Sequence, residues 1–130
     1  NMPNDKRMFK ADSAGSFLGY CNVRFPDDPV QATTSSISAA DATKYIGQTI
    51  INEGATSNIV VYLTAPGSVS LGSEFTFVVK SAYRITLAMA GYPLLPGNKN
   101  SYYSNTIGDR LKVRSDGTNW YIVEQNGTWQ

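Results

Sequence analysis

The stretch RLKVRSDGTNWYIVEQNGTW, Arg110–Trp129, decides the fold class. Apolar residues recur at alternate positions, Leu111 and Val113, then Trp120 and Ile122, and Asp116-Gly117 interrupts them. A strand points successive side chains to opposite faces, so period-two alternation broken by Asp-Gly marks a β-hairpin. With Asp116-Gly117 at the centre of a type I′ turn, Ser115 is predicted opposite Thr118, Val113 opposite Trp120 and Leu111 opposite Ile122. Arg114 with Asn119, Lys112 with Tyr121 and Arg110 with Val123 then occupy the other face. A slip of one residue would mix the two faces, so the hydrophobic pattern favours this pairing. Asn126-Gly127-Thr128 matches the N-glycosylation pattern. It is read here as an Asn-Gly turn that bends Trp129 back toward Glu124.

Upstream, the same alternation appears three more times between turn residues. NIVVYLT (Asn58–Thr64) carries Ile59, Val61 and Leu63; EFTFVVK (Glu74–Lys80) carries Phe75, Phe77 and Val79; YRITLAM (Tyr83–Met89) carries Ile85, Leu87 and Met89. None shows the 3.6-residue period of a helix, so all are expected as strands sharing one core. Before them, SAADATKYIG offers one helical turn with Ser38 as cap and Gly47 as terminator, or else leads into a strand at KYIGQTII. The opposite faces are not uniformly polar. Val60, Tyr62, Val78, Tyr121 and Val123 point away from the first core and ask for a cover, either within the chain or from another subunit.

Residues 1–35 read differently. They are turn-rich, with apolar spurts at Met8-Phe9, Phe17-Leu18 and Val23 and no sustained period. The segment is expected to end in a small, polar linker at Gln31–Ser36. Two domains' worth of organisation follow: an N-terminal segment, 1–35, and a β-sandwich domain, 36–130. Asp27-Asp28 beside Pro29 read as turn residues. The chain opens on Asn1 without a secretory leader, and is expected to be a piece of a longer protein.

Composition narrows the function. In 130 residues, 42% are hydrophobic, enough for a packed core, and the net charge is +1 with basic residues spread along the chain, which is not a nucleic-acid footprint. Apolar runs are too short to span a bilayer. There is no histidine, so neither Ser-His-Asp nor Cys-His chemistry is available. The single cysteine, Cys21, forms no intrachain disulfide and is read as a small buried hydrophobe. The carboxylates are scattered. No catalytic residue, metal site or cofactor is expected.

The order of elements resembles a small β-domain found near the C-termini of bacteriophage tail fibres and tailspikes. It runs AADATKYI, an apolar strand closing in TAP, LGSEFTFVVKSAYRITLAMAG, then GDRLKVRSDGTNWYIV, and the resemblance covers Ser38–Gln130. It implies an all-β, small antiparallel β-sandwich or jelly-roll-like domain, non-catalytic and homotrimeric. It also implies a place in the virion, promoting trimer assembly or contacting polysaccharide on the host surface. Residues 1–35 do not fit the pattern; by analogy they would end a β-helical stalk or body.

Two sets of residues carry the functional expectation. Open sheet edges and second apolar faces favour closure of three copies, with Val60, Tyr62, Val78, Tyr121 and Val123 as candidate trimer contacts. Carbohydrate contact needs aromatic faces beside amides and hydroxyls. The expected loop Pro96–Thr106 supplies Asn98, Lys99, Asn100, Tyr102, Tyr103 and Asn105, and Trp129 is a further candidate. The alternative is a carbohydrate-binding module of a secreted enzyme, with the same loop as its argument. An enzyme is disfavoured by the missing histidine and the lack of clustered carboxylates.

Overall fold

Alternation becomes burial, strand by strand. In the computed structural model, which describes residues 30–89 and 91–130, every second residue of the strand candidates is enclosed. Ile59, Val61 and Leu63, Phe75, Phe77 and Val79, and Ile85, Leu87 and Met89 join Leu111, Val113 and Trp120 in one core, as expected. The expectations for Met8-Phe9, Phe17-Leu18, Cys21, Val23, Asp27-Asp28 and the β-helical stalk lie outside the described residues.

Among the described residues, eight strands form two sheets. They are β1 (Val30–Ala32), β2 (Thr49–Ile51), β3 (Ile59–Leu63), β4 (Glu74–Val78), β5 (Ile85–Met89), β6 (Ser101–Ser104), β7 (Arg110–Ser115) and β8 (Trp120–Asn126). One sheet has the order β1-β2-β4-β7-β8 and the other β3-β5-β6. The result is a small all-β sandwich, but not a wholly antiparallel one: β1–β2, β2–β4 and β3–β5 run parallel. The cause is the route of the chain. Between β2 and β4 it crosses to the other sheet to form β3, and between β3 and β5 it crosses back to form β4. Parallel neighbours require such a crossover; a strand serves for β2–β4 and β3–β5, whereas a short helix at Ala39–Ala42 lies between β1 and β2.

The short helix α1 (Ala39–Ala42) forms where Ser38 permits it. The Ser38 hydroxyl accepts from the Asp41 amide at 3.2 Å, and Gly47 with φ 84° ends the helical turns that follow. The sequence then enters β2, so both alternatives for this stretch are realised in succession. β1 corrects the linker: Val30–Ala32 pairs with Thr49–Ile51, so part of Gln31–Ser36 belongs to the sheet. Two of the expected open edges are partly covered. Ile37 bonds to β3 (its amide to Val60 O at 2.9 Å; Tyr62 N to its carbonyl at 3.0 Å), and Gln130 exchanges both backbone bonds with Tyr103 of β6.

The closing hairpin has the expected faces in a different register. Ser115 lies opposite Trp120, Arg114 opposite Tyr121 and Val113 opposite Ile122, each two residues from the expected pairing. Asp116 causes the shift. Its carboxylate accepts from the amides of Thr118 (2.9 Å) and Asn119 (2.8 Å), and its own amide donates to Asn119 O at 3.1 Å, so four residues turn rather than two. A shift of two preserves which side chains face inward, so Trp120 is still fully buried. A β-bulge then brings Glu124, not Val123, opposite Lys112. Trp120 packs on Phe75 with ring centroids 5.5 Å apart, and its indole N–H donates to Thr64 O at 3.0 Å.

Asn52 locks the two sheets together at the end of β2. It is fully buried, its Oδ1 accepts from the amides of Lys80 (2.7 Å) and Ser81 (3.0 Å), and its Nδ2 donates to the carbonyls of Ser81 (3.3 Å) and Tyr83 (3.0 Å). One side chain thus satisfies the backbone of the β4–β5 connection, where no ladder is available.

Candidate functional site

The three-stranded sheet turns one face to the core and leaves the other to solvent. Its register places Val60, Thr86 and Tyr103 in one outward row and Tyr62, Ala88 and Ser101 in the next. Tyr62 is 48% exposed at one corner. From the registers, Tyr62 and Tyr103 are two strand spacings and two residues apart, about 12 Å between backbones. The side chains between them are small: Thr86, Ala88 and Ser101. The face is therefore a shallow trough with an aromatic ring at opposite corners.

Arg84, just before β5, completes the Tyr103 corner. Its guanidinium carbon sits 4.1 Å from the centroid of the Tyr103 ring, a cation–π stack. Its backbone amide donates to Asn58 Oδ1 at 2.9 Å, which holds the start of β5 against the start of β3. No carboxylate pairs with Arg84 among the described residues. The ion pairs lie elsewhere: Arg114 (2.6 Å) and Lys112 (3.9 Å) with Glu74, Arg110 with Glu124 (3.5 Å), and Lys44 with Asp41 (3.2 Å).

The sequence-derived sugar-binding residues do not form one loop. Ser101–Ser104 of the expected Pro96–Thr106 loop is β6, and the turn proper is shorter, closed where Leu94 and Lys99 exchange backbone bonds at 2.7 and 3.0 Å. Asn98, with φ 56°, and Lys99 and Asn100 are exposed in and beside that turn; Asn105 is exposed just beyond β6. Tyr102 and Trp129 are corrections. They stack on each other at 6.3 Å and are 8% and 5% exposed, so neither ring is an open platform. Strand alternation explains Tyr102: its neighbour Tyr103 faces out, so it must face in. Trp129 crosses to β6 instead of turning back toward Glu124.

That crossing depends on Asp109, a buried carboxylate. Burial pushes its pKa up, but hydrogen bonds from Ser104 Oγ (2.6 Å), Thr128 N (2.8 Å) and Thr128 Oγ1 (3.2 Å) outweigh it and hold the carboxyl below its ordinary value. Gly127, with φ 95°, passes so close that a Cβ there would overlap the Asp109 carboxylate. Asn-Gly is thus required for close approach as well as for turning. Asp109 is a structural clasp, its Oδ2 accepting all three of these bonds.

The candidate trimer residues divide between opposite sides of the sandwich. Val60 and Tyr62 lie on the three-stranded sheet, whereas Val78, Tyr121 and Val123 lie on the five-stranded one, so the five do not make one patch. Tyr121 and Val123 line a groove of about 350 Å³ with Arg114, Asp116 and Ile122. Within it Tyr121 is pushed above its ordinary pKa, chiefly by the Asp116 charge, and Asp116 is held down by the amides of Asn119 and Thr118. β8 is the last strand of its sheet. Among the described residues only Leu95 bonds to its outer edge, at Trp120 O (2.9 Å) and Ile122 N (2.7 Å), leaving Val123–Asn126 without a strand partner there.

A second cleft, about 190 Å³, is lined by Gln31, Thr33, Ser35, Ser36, Asp41 and Tyr45 among others. Several of its polar groups are committed to local structure: Thr33 Oγ1 donates to Ser35 O at 2.8 Å, and Ser36 Oγ accepts from Val60 N at 3.0 Å. Compared with protein-family models and with curated proteins, the chain has no match.

Arg84 was absent from the sequence-derived set. One signal was available, since Ile85 faces inward and Arg84 must therefore face outward. Its meeting with Tyr103 depends on the β5–β6 register, which local pattern does not reveal.

Proposed function

We propose that this chain is the non-catalytic C-terminal module of a bacteriophage tail fibre or tailspike, promoting homotrimer assembly and contributing to the binding of host-surface polysaccharide. The resemblance of Ser38–Gln130 supplies the family. The observation that carries the binding half is the outer face of the three-stranded sheet, where Tyr62 and the Arg84–Tyr103 stack border a trough of small and hydroxyl side chains. The Tyr62 ring packs against the C–H face of a sugar, and the hydroxyls, the Asn58 amide and the guanidinium held by Tyr103 meet the polar groups of the glycan.

Assembly then falls to the other side. The edge of β8 at Val123–Asn126, without a strand partner among the described residues, and the groove beside Tyr121 and Val123 favour contact with a neighbouring copy there. In this reading Val60 and Tyr62 serve binding, and Val78, Tyr121 and Val123 serve the trimer. The site of action is the virion at the host cell surface. Sedimentation equilibrium tests assembly: a trimer mass is expected, weakened toward monomer by Val123→Lys. A monomer at micromolar concentration refutes it.

One observation favours the alternative, a carbohydrate-binding module of a secreted enzyme. Ile37 and Gln130 cover sheet edges from within the same chain, so much of the fold closes in a single copy. A monomer that still binds polysaccharide would select this alternative.

A further inference from the structure

We infer that the outer face of the three-stranded sheet selects an acidic polysaccharide, seating a carboxylate of the glycan on Arg84 while a second sugar residue packs on Tyr62. This rests on reading the chain as a polysaccharide-binding module and adds the chemical class of the ligand.

The charge on this face is one-sided. Asn58, Val60, Tyr62, Arg84, Thr86, Ala88, Ser101 and Tyr103 include one cation and no carboxylate. Arg84 has neither an ion pair nor a side-chain hydrogen bond among the described residues; its guanidinium is held by the Tyr103 ring alone, at 4.1 Å. The contact holds the guanidinium at the Tyr103 ring, and its N–H groups have no protein acceptor among the described residues. Guanidinium presents parallel N–H donors that match the two oxygens of a carboxylate. A fork already ordered by its neighbour loses less freedom when an anion binds.

Lys80 and Lys99 are likewise exposed without an ion pair among the described residues, but neither is held over an aromatic ring there; the remaining cations are paired with acids. Arg114 and Lys112 share Glu74, and Lys44 is paired with Asp41, so the cations at the groove beside Tyr121 and the polar cleft beside Asp41 already have acid partners. Arg84 is the exposed arginine whose geometry is set by an aromatic ring instead of an acid. Tyr103 is accordingly a positioning residue, its ring facing the guanidinium and not the ligand. Tyr62, about 12 Å away by strand geometry, is too far to meet the same sugar, so an oligomer is required.

The test is native affinity electrophoresis through gels containing polygalacturonate or alginate as acidic probes and dextran as the neutral one, with galacturonic acid as a free competitor. Retardation is expected in at least one acidic gel and not in dextran. It should weaken with added salt and resist millimolar monosaccharide. Arg84→Gln is expected to weaken binding about tenfold or more, the loss of one charge-assisted contact. Tyr103→Leu should produce a similar loss although the charge remains, and Tyr103→Phe should not. Tyr62→Ala should weaken binding to the polymer. Lys44→Gln, an equal change of charge elsewhere, should leave it unchanged. Arg84 and Tyr62 are exposed, so unchanged thermal melts are expected to accompany both variants.

Three results overturn the inference. Equal retardation by dextran that Arg84→Gln does not affect removes the acidic preference while leaving polysaccharide binding intact. Acidic-gel binding that survives both Arg84→Gln and Tyr62→Ala places the site elsewhere. Retardation in no gel removes this inference and the polysaccharide reading together.

Discussion

Replacing Asn52 by alanine tests the argument that a single buried amide joins the two sheets. The wild-type side chain makes four hydrogen bonds to backbone groups of Lys80, Ser81 and Tyr83, at 2.7–3.3 Å, from a fully buried position. Alanine offers none of them. At about 1 kcal/mol net for each of these part-buried bonds, the loss is about 3–5 kcal/mol. That is a large part of the ~5–15 kcal/mol that holds a domain folded. Urea titration at fixed protein concentration should show a midpoint lowered by about 2 M, for a slope of about 2 kcal/mol per molar. Asn58→Ala is the control. Asn58 also accepts one backbone bond, from Arg84 N at 2.9 Å, but from an exposed position, and should cost about 0.5–1 kcal/mol. Equal costs for the two variants would refute the claim that burial, not the amide alone, makes Asn52 matter.

Further outcomes follow from the clasp and the core. Asp109 has a folded pKa below its unfolded value of about 3.9, so its stabilisation is complete above that value and is lost as pH falls through the folded one. Urea midpoints from pH 7 to 2 should show the gap between wild type and Asp109→Asn narrowing below about pH 4; a constant gap would contradict the assigned hydrogen bonds. Gly127→Ala meets both a positive φ and the Asp109 carboxylate, and should cost about 1–3 kcal/mol, with changed tryptophan fluorescence as Trp129 leaves Tyr102. Trp120→Ala should cost about 3–5 kcal/mol by urea titration, whereas Trp120→Phe, which keeps the contact with Phe75 but frees Thr64 O, should cost less.

What residues 30–130 determine by themselves is which side chains face inward. The period of a strand is covalent geometry, so Ile59, Val61 and Leu63 share a side whatever lies beside them. Ser38 likewise bounds the helical turn through a bond to the Asp41 amide, and Gly47 through its own positive φ. Partners are another matter. The hairpin register moved because the Asp116 carboxylate captured two amides and lengthened the turn, and inward faces survived because the shift was even. The parallel pairings arise from a chain that alternates between sheets, which no single strand's pattern records. Tyr102 and Trp129 were legible as aromatic but not as mutually buried, since their contact spans two elements and needs the Gly127–Asp109 approach. Tertiary structure alone sets Arg84 on Tyr103 and carries Tyr62 to the same face. Local alternation selects a side of the sheet; only long-range register selects the neighbour, and the candidate site is made of neighbours.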